Sequence, residues 1–350
     1  MFLKISDIGY LDSQSIGTKA YNLAKLYSEG YNVPPGCIIT ADEFNRFIND
    51  NGLRSIVKDY LNEIYQTGKF NSAIRKKLEG LKEKIITRHI DEKLLKKINN
   101  YVDELVSGEY SSVVVRSSAT LEDLADKSFA GQYDTVLNVK TDEELEKSII
   151  ICWMSIFNER VINYCLSRNI DHSKIKMGVV IQAMVPSMYS GVLFTVDPIQ
   201  GKDRKMVVEA IHGQGEAIVQ GLVTPDSYSF DWYHEKIEVN NKGKQKKGLY
   251  PSASEAKLYW KNVDSKNRVL SEAQIREIGL ISLKIQEHFG VPQDIEWAFW
   301  RDKFFIVQSR PLSKISYNVN EEWTNADFRD GGIASSIPTP FMWSLYKYVF

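Results

Sequence analysis

Cysteine is scarce: Cys37, Cys152 and Cys165 are three in 350 residues, and they lie far apart. Three separated thiols form neither a disulfide framework nor a metal-ligand spacing, so reduced, buried thiols are expected. Net charge is nearly absent as well, since 44 basic residues face 45 acidic ones and leave −1. No global field attracts nucleic acid or an anionic membrane, and neither partner is expected. No run approaches the ~18 apolar residues of a membrane span, and MFLKISDIGYLDS has no apolar signal core. The expected location is the cytoplasm. The common phosphate-loop signatures G-x-x-x-x-G-K-[ST] and G-x-G-x-x-G are missing too, as are internal repeats and low-complexity tracts.

What is present fits an ordinary globular chain: 43% hydrophobic and 25% charged residues over a length that suits about two domains. Residues 17–30 carry a helical pattern through Ala20, Leu23, Ala24 and Leu26, closed by Gly30. Thr40 with Glu43, Thr141 with Glu144 and Ser271 with Gln274 each read as a capping box that opens a helix. The second of these helices is expected to run past Trp153 to about Leu166, and the third to end near Gly290. Residues 54–105 read as charged helices with solvated faces. From Lys176 the pattern turns to strands (MGVVIQAMV, SGVLFTVD, KMVVEAI, DIEWAFW, FFIVQSR), with NNKGKQKKG expected as an exposed loop. This divides the chain into a helical and mixed region, 1–175, and a β-rich region, 176–315. Residues 316–350 read as a linker and the start of a further, truncated domain, because an amphipathic run stops at Phe350 with no capping residue.

Two constellations suggest chemistry. In DIEWAFWRDKFFIVQSRP, alternation puts Asp294, Glu296 and Ala298 on one strand face and Ile306, Gln308 and Arg310 on one face of the return strand. A three-residue turn at Arg301, Asp302 and Lys303 sets Glu296 opposite Gln308 and Asp294 opposite Arg310, whereas a two-residue turn sets Glu296 opposite Val307. Carboxylate and carboxamide oxygens there would suit magnesium that also binds phosphate, and the Arg310 fork would suit phosphate oxygens. A solvated face with an Asp294–Arg310 pair explains the same residues. The second constellation is VVVRSSATLEDLADKSFAGQYDTVLNV, where a buried strand delivers Arg116 among Ser117, Ser118 and Thr120. Gly131 in FAGQ lets backbone amides approach an anion, but a surface arginine at a strand end is the plainer alternative. Lys19 lies just inside a helix N-terminus, where an ammonium opposes the helix dipole unless an anion sits there.

VRSSATLEDL, SFAGQYDTVLNV, SGVLFTVDP, GQGEAIVQGLVTPDSY and DIEWAFW…FFIVQSRP occur here in the order found in one family. The chain from residue 15 to about 312 resembles the N-terminal ATP-binding domain of phosphoenolpyruvate synthase and pyruvate phosphate dikinase, shared by rifampicin phosphotransferase. The resemblance implies an α+β, two-lobed ATP-grasp fold with nucleotide between the lobes. It implies ATP phosphates on Lys19, Arg116 and Arg310, the residues that would carry catalysis. Gly131 with Thr135 would form a lid, with Val136 beside it, and Gln182 with the backbone near Met184 an adenine-side hinge. Glu296 and Gln308 would be Mg2+ ligands, and Thr195, Asp197 and Glu209 would line the site. The sequence departs from the family pattern in two places: GTKAYNLAKL lacks the usual glycine pair before the lysine, and GQGE replaces GLGE. The implied chemistry is dikinase-type transfer of the β-phosphoryl of ATP to a histidine on a separate swivelling domain, with AMP released. Pyruvate or an antibiotic hydroxyl is the implied acceptor. A nucleotide-sensing module without transfer stays open, as does a carboxylate ligase that makes ADP. None of His89, His172, His212, His234 and His288 has the family's phosphohistidine context. His89 and His172 are expected on the surface, and His212 beside the GQGE loop.

Overall fold

The computed structural model describes residues 1–312 and 315, apart from 9–11, 69, 121, 122, 125, 126, 129–132, 169, 202, 203 and 265. It is a mixed α+β structure built on two larger antiparallel sheets. In the first sheet the strand order is Phe2–Lys4, Gly36–Ile39, Met177–Ala183, Val113–Ala119, Thr135–Val139. In the second it is Lys236–Asn241, Asp226–Asp231, Lys205–His212, Tyr189–Phe194, Gln293–Trp300, Lys303–Pro311. The compositional boundary at 175/176 therefore falls one strand early. Met177–Ala183 bonds to Gly36–Ile39 and Val113–Ala119 in the first sheet, and the chain passes to the second sheet through residues 184–188.

Alternation along these strands assigns the cores. Val113, Val115, Val179 and Ile181 face Phe44, Phe47, Trp153 and the other apolar positions of the helices, all in one cluster. Ile38 and Val180, on the opposite face, join a second cluster with Leu23 and Leu26 of helix Thr18–Ser28, Leu193, Ile295 and Trp297 of the second sheet, and Ile275 and Ile278 of helix Glu272–Phe289. Helix Thr18–Ser28 is thus wedged between the sheets, its buried stripe shared by both.

The capping boxes at Thr141 and Ser271 form as expected. The one at Thr40 does not: Thr40 and Glu43 turn instead to the Met1 amino group. The helix after Thr141 stops at Met154, passes through a 3-10 turn, and restarts at Glu159–Ser167. Although no continuous apolar run reaches that length, the stretch Asp142–Ser167 has the length and mean composition of a membrane span. However, 67% of its apolar window is buried inside the protein, where Leu145, Ile149 and Trp153 complete the first core.

A smaller hairpin, Lys247–Pro251 with Leu258–Asn262, reaches back to the first sheet. The Asn138 amide nitrogen donates to the carbonyls of Ser252, Glu255 and Lys257 at 3.2, 2.8 and 2.9 Å, and Lys140 donates to those of Ser252 and Ala253. At the hairpin's other end, Gln214 donates its backbone amide to Leu249 and its side-chain amide to Val185, both at 2.8 Å. NNKGKQKKG is consequently anchored rather than free. Gln245 is buried and accepts from the His212 amide, and the Gly243 amide donates to Asp226.

Candidate functional site

Gln293–Trp300 and Lys303–Pro311 pair as the three-residue turn would require, but for another reason. The turn has two residues, Arg301 and Asp302, both at positive φ (49° and 57°), the backbone of a type I′ hairpin. Trp300 pairs with Lys303 and Trp297 with Ile306, after which the register slips by one. Val307 is the extra residue, a β-bulge, and beyond it Glu296 lies opposite Gln308 and Asp294 opposite Arg310. Ile306 therefore faces the apolar core with Trp297, not the side of Gln308.

The bulge explains the destination of Arg116. Strand Val113–Ala119 carries Val113 and Val115 into the helical core and turns Arg116 to the other face, between Val180 and Thr135. There Arg116 is 8% exposed and spans to the hairpin of the second sheet. Nη1 donates to the Val307 carbonyl at the bulge. Nη2 donates to Gln308 Oε1 at 2.6 Å and to Glu296 Oε2 at 3.2 Å. Two side-chain oxygens from facing strands thus converge on one cationic nitrogen. Their donor chemistry suits a hard cation completed by phosphate oxygens. Among the described residues no three His, Cys, Asp or Glu side chains gather into a metal cluster, so a cation here would draw on this oxygen pair.

Lys19 is buried at the second position of helix Thr18–Ser28, and its Nζ donates to the Ser117 carbonyl at 2.9 Å. The Ser118 hydroxyl accepts from the Ala20 amide at 3.0 Å, so the neighbouring strand caps this helix. That capping takes over part of the role assigned to a bound anion. It also requires Gly17 (φ 84°), where a Cβ would come within 2.0 Å of the Ser118 carbonyl. Asn22 on the same helix donates to the Ser309 carbonyl at 2.9 Å, which ties the helix to the hairpin.

Arg310 donates Nε and Nη2 to Asp294 Oδ2 at 2.8 and 2.6 Å. Burial pushes the Asp294 carboxyl above its ordinary range, against the opposing pull of Arg310. Glu209 stands in the same cross-strand row as Glu296, with Val192 between them, and burial and Asp294 raise its carboxyl as well. The hairpin face therefore brings together Arg116, Glu296, Gln308, Asp294 and Arg310, with Glu209 beyond Val192.

Other expected site residues stand apart. Thr195 is fully buried and its hydroxyl accepts from the Gln293 amide, so it closes a strand end rather than lining a cleft. Asp197 folds its own loop by accepting from the amides of Ile199 and Gln200. The Gln182 side chain is buried and donates to the Pro34 carbonyl. Met184 is buried, its amide donating to Ser112 and its sulfur accepting from Asn138 N at 3.1 Å. Thr135 is exposed on the edge strand, while the Val136 side chain packs toward the first core. Gly131 lies outside the described residues.

The histidines are clear on geometry. His89 is exposed, but His172 is not: it is 3% exposed, stacks on Phe157 and bonds to the Ile156 carbonyl at 2.7 Å through Nε2. His212 shares a row with Tyr189 and Phe299, on the sheet face opposite Glu296. The three cysteines are free and buried, as expected, and burial drives their thiols upward, that of Cys165 to about 11. The sequence reading missed the Val307 carbonyl, which no residue type announces. It also missed Asn138, a fully buried amide at positive φ (58°).

Fold and site together define a mixed α+β domain whose two sheets meet at a charged, oxygen-rich junction. The chain belongs to the family described as pyruvate phosphate dikinase, AMP/ATP-binding domain, which matches residues 13–328. It is similar to a probable phosphoenolpyruvate synthase of Archaeoglobus fulgidus, with 36% identity over 322 residues, which cover 91% of this chain and 42% of that protein. A phosphoenolpyruvate synthase of Aeropyrum pernix is 33% identical, covering 85% of this chain and 40% of its own length. A rifampicin phosphotransferase of Bacillus subtilis is 32% identical, covering 90% and 36%. The chain spans less than half the length of these curated relatives.

Proposed function

We propose that this chain is the nucleotide half of a dikinase-type phosphotransferase, an ATP-grasp arrangement that holds ATP between its two sheets. The observation that supports this best is the convergence of Arg116, Glu296 and Gln308 at the sheet junction of an AMP/ATP-binding family member. The first lobe is the five-stranded sheet with its helices and the second the six-stranded sheet, with helix Thr18–Ser28 shared. Lys19, Arg116 and Arg310 hold the phosphates, Thr135 borders them as the ladder partner of Arg116, and Gln182 with the Met184 backbone borders the base. Glu296 and Gln308 hold Mg2+, which when bound offsets phosphate charge.

The chain's own task is positioning and charge neutralisation. A histidine on a separate domain attacks the β-phosphorus. An N–P bond forms, the α,β-bridging P–O bond breaks, and AMP leaves with that oxygen. Water or phosphate then takes the γ-phosphoryl, and the β-phosphoryl passes from histidine to an acceptor. Pyruvate is the leading acceptor and an antibiotic hydroxyl the alternative, in line with the names of the two kinds of relative. Transfer requires a nucleophile within about 3–3.5 Å of phosphorus. His172 is buried in the first core and His212 faces away from Glu296, which supports a nucleophile outside the described residues.

The test is AMP release from radiolabelled ATP. The 350-residue chain alone is expected to bind MgATP without forming AMP. Adding a phosphohistidine-domain fragment should yield AMP and an acid-labile phosphohistidine on that fragment. Robust AMP formation by the chain alone, or ADP in place of AMP, would sink the reading.

A further inference from the structure

We infer that Arg116 is the resident counter-ion of the Glu296–Gln308 oxygen pair, exchanged for a divalent cation when nucleotide phosphate offers the guanidinium another partner. This rests on the function proposed above and adds a regulation of that site. The argument begins with crowding. Glu296 Oε2 and Gln308 Oε1 both contact one nitrogen of Arg116. A dication bound by the same oxygens would lie within about 4 Å of the guanidinium, where two positive charges repel strongly at low dielectric. The oxygen pair can serve one cation or the other, not both.

Access comes next. The Arg116 side chain is 10% exposed and that of Glu296 26%, so solvent reaches the pair from the carboxylate side. The backbone of Arg116 is fixed by its ladder partners Val180 and Thr135, so exchange requires only side-chain rotation. Thr135 is exposed, which opens that edge to a ligand. Arg310 offers the contrast: its guanidinium has a carboxylate, Asp294, on its own hairpin and leaves Glu296 and Gln308 to Arg116.

The consequence is linkage. Without nucleotide, a cation must displace Arg116 into water. With nucleotide, the displaced guanidinium gains a phosphate. Metal and nucleotide therefore tighten each other by the same factor. Removing the arginine weakens nucleotide binding and strengthens metal binding, opposite signs that unfolding cannot produce together.

The probe is Mn2+, followed by electron paramagnetic resonance of the free ion and by calorimetry, with and without a non-hydrolysable ATP analogue. In the unaltered chain the analogue should tighten Mn2+ binding by about tenfold or more, inside the usual range of coupling factors. In Arg116→Gln, chosen to remove the charge while keeping a polar side chain, Mn2+ alone should bind about tenfold tighter than to the unaltered chain, and the coupling should fall to within about twofold. Arg116→Ala should repeat this sign, with circular dichroism checking the fold. If both variants bind Mn2+ alone no tighter than the unaltered chain while Glu296→Ala abolishes Mn2+ binding, the metal site stands and the exchange is refuted. If Glu296→Ala and Gln308→Ala leave Mn2+ binding intact even with the analogue, the metal assignment itself fails, and the exchange with it.

Discussion

Among the described contacts between the first sheet and the rest of the molecule, two bridges are built from different chemistry. At one, Asn138 is fully buried and shares two amide hydrogens among three backbone carbonyls of the small hairpin. At the other, Arg116 meets the side chains Glu296 and Gln308, and Glu296 keeps contact with solvent. Backbone carbonyls can be neither titrated nor rotated away, so the first bridge has one state. Side-chain oxygens accept any cation of the right size, so the second has at least two. Burial marks the holding bridge, and partial exposure of charge marks the responsive one.

Crossed substitutions break or sharpen this contrast. The largest effect is expected from Arg116→Ala in the AMP-release assay with the histidine-domain fragment. Loss of one pre-organised charge-stabilising donor costs about 2.7–4 kcal/mol, or 10²–10³ in rate. Its urea stability should fall by about 1.5–3 kcal/mol, the range for hydrogen bonds to a charged group, because Glu296 regains water while Gln308 and the Val307 carbonyl lose a donor. Unchanged turnover would return Arg116 to a structural role. Asn138→Ala should do the reverse. It removes the hydrogen bonds to three hairpin carbonyls and puts alanine in a left-handed conformation, at a combined cost of about 2–4 kcal/mol. Hydrogen exchange should then rise first in residues 247–262, with turnover per folded molecule within a few-fold. Uniform exchange across the chain would show that Asn138 is no bridge.

The smallest effect tests burial on the hairpin face. A carboxyl whose folded pKa lies above its unfolded value holds more protons folded than unfolded between the two values, so stability falls as pH rises through that window. Glu209 is such a group, raised chiefly by burial. In metal-free buffer Glu209→Gln should match the unaltered chain below the window and melt at higher temperature near neutral pH. A gain at acid pH, or a loss at neutral pH, would contradict the shift.

Much of this was legible in the sequence where the signal is local. The capping boxes at Thr141 and Ser271 need only four consecutive residues and form as written. The box at Thr40 failed because a distant group, the Met1 amine, competed for the same oxygens. The pairing of Glu296 with Gln308 was readable, but its cause was not: one surplus residue in the turn or in a bulge gives the same partners. Polar sequence neighbours of His172 suggested exposure, yet Ile156 and Phe157 of the preceding 3-10 turn enclose it. The sheet membership of Met177–Ala183 was hidden because an apolar strand carries no label for its neighbours. Residues 316–350 and Gly131 lie outside the described residues, so those expectations stand where the sequence left them.

The surplus residue at Val307 has a consequence for comparing relatives. A chain lacking it would still place its glutamate across from its glutamine, and an alignment would record a harmless single-position gap. What such a chain would lose is the Val307 main-chain oxygen, and with it the third hold on Arg116. Two sequences could thus agree at every side chain of this site and still differ in how firmly they grip the arginine.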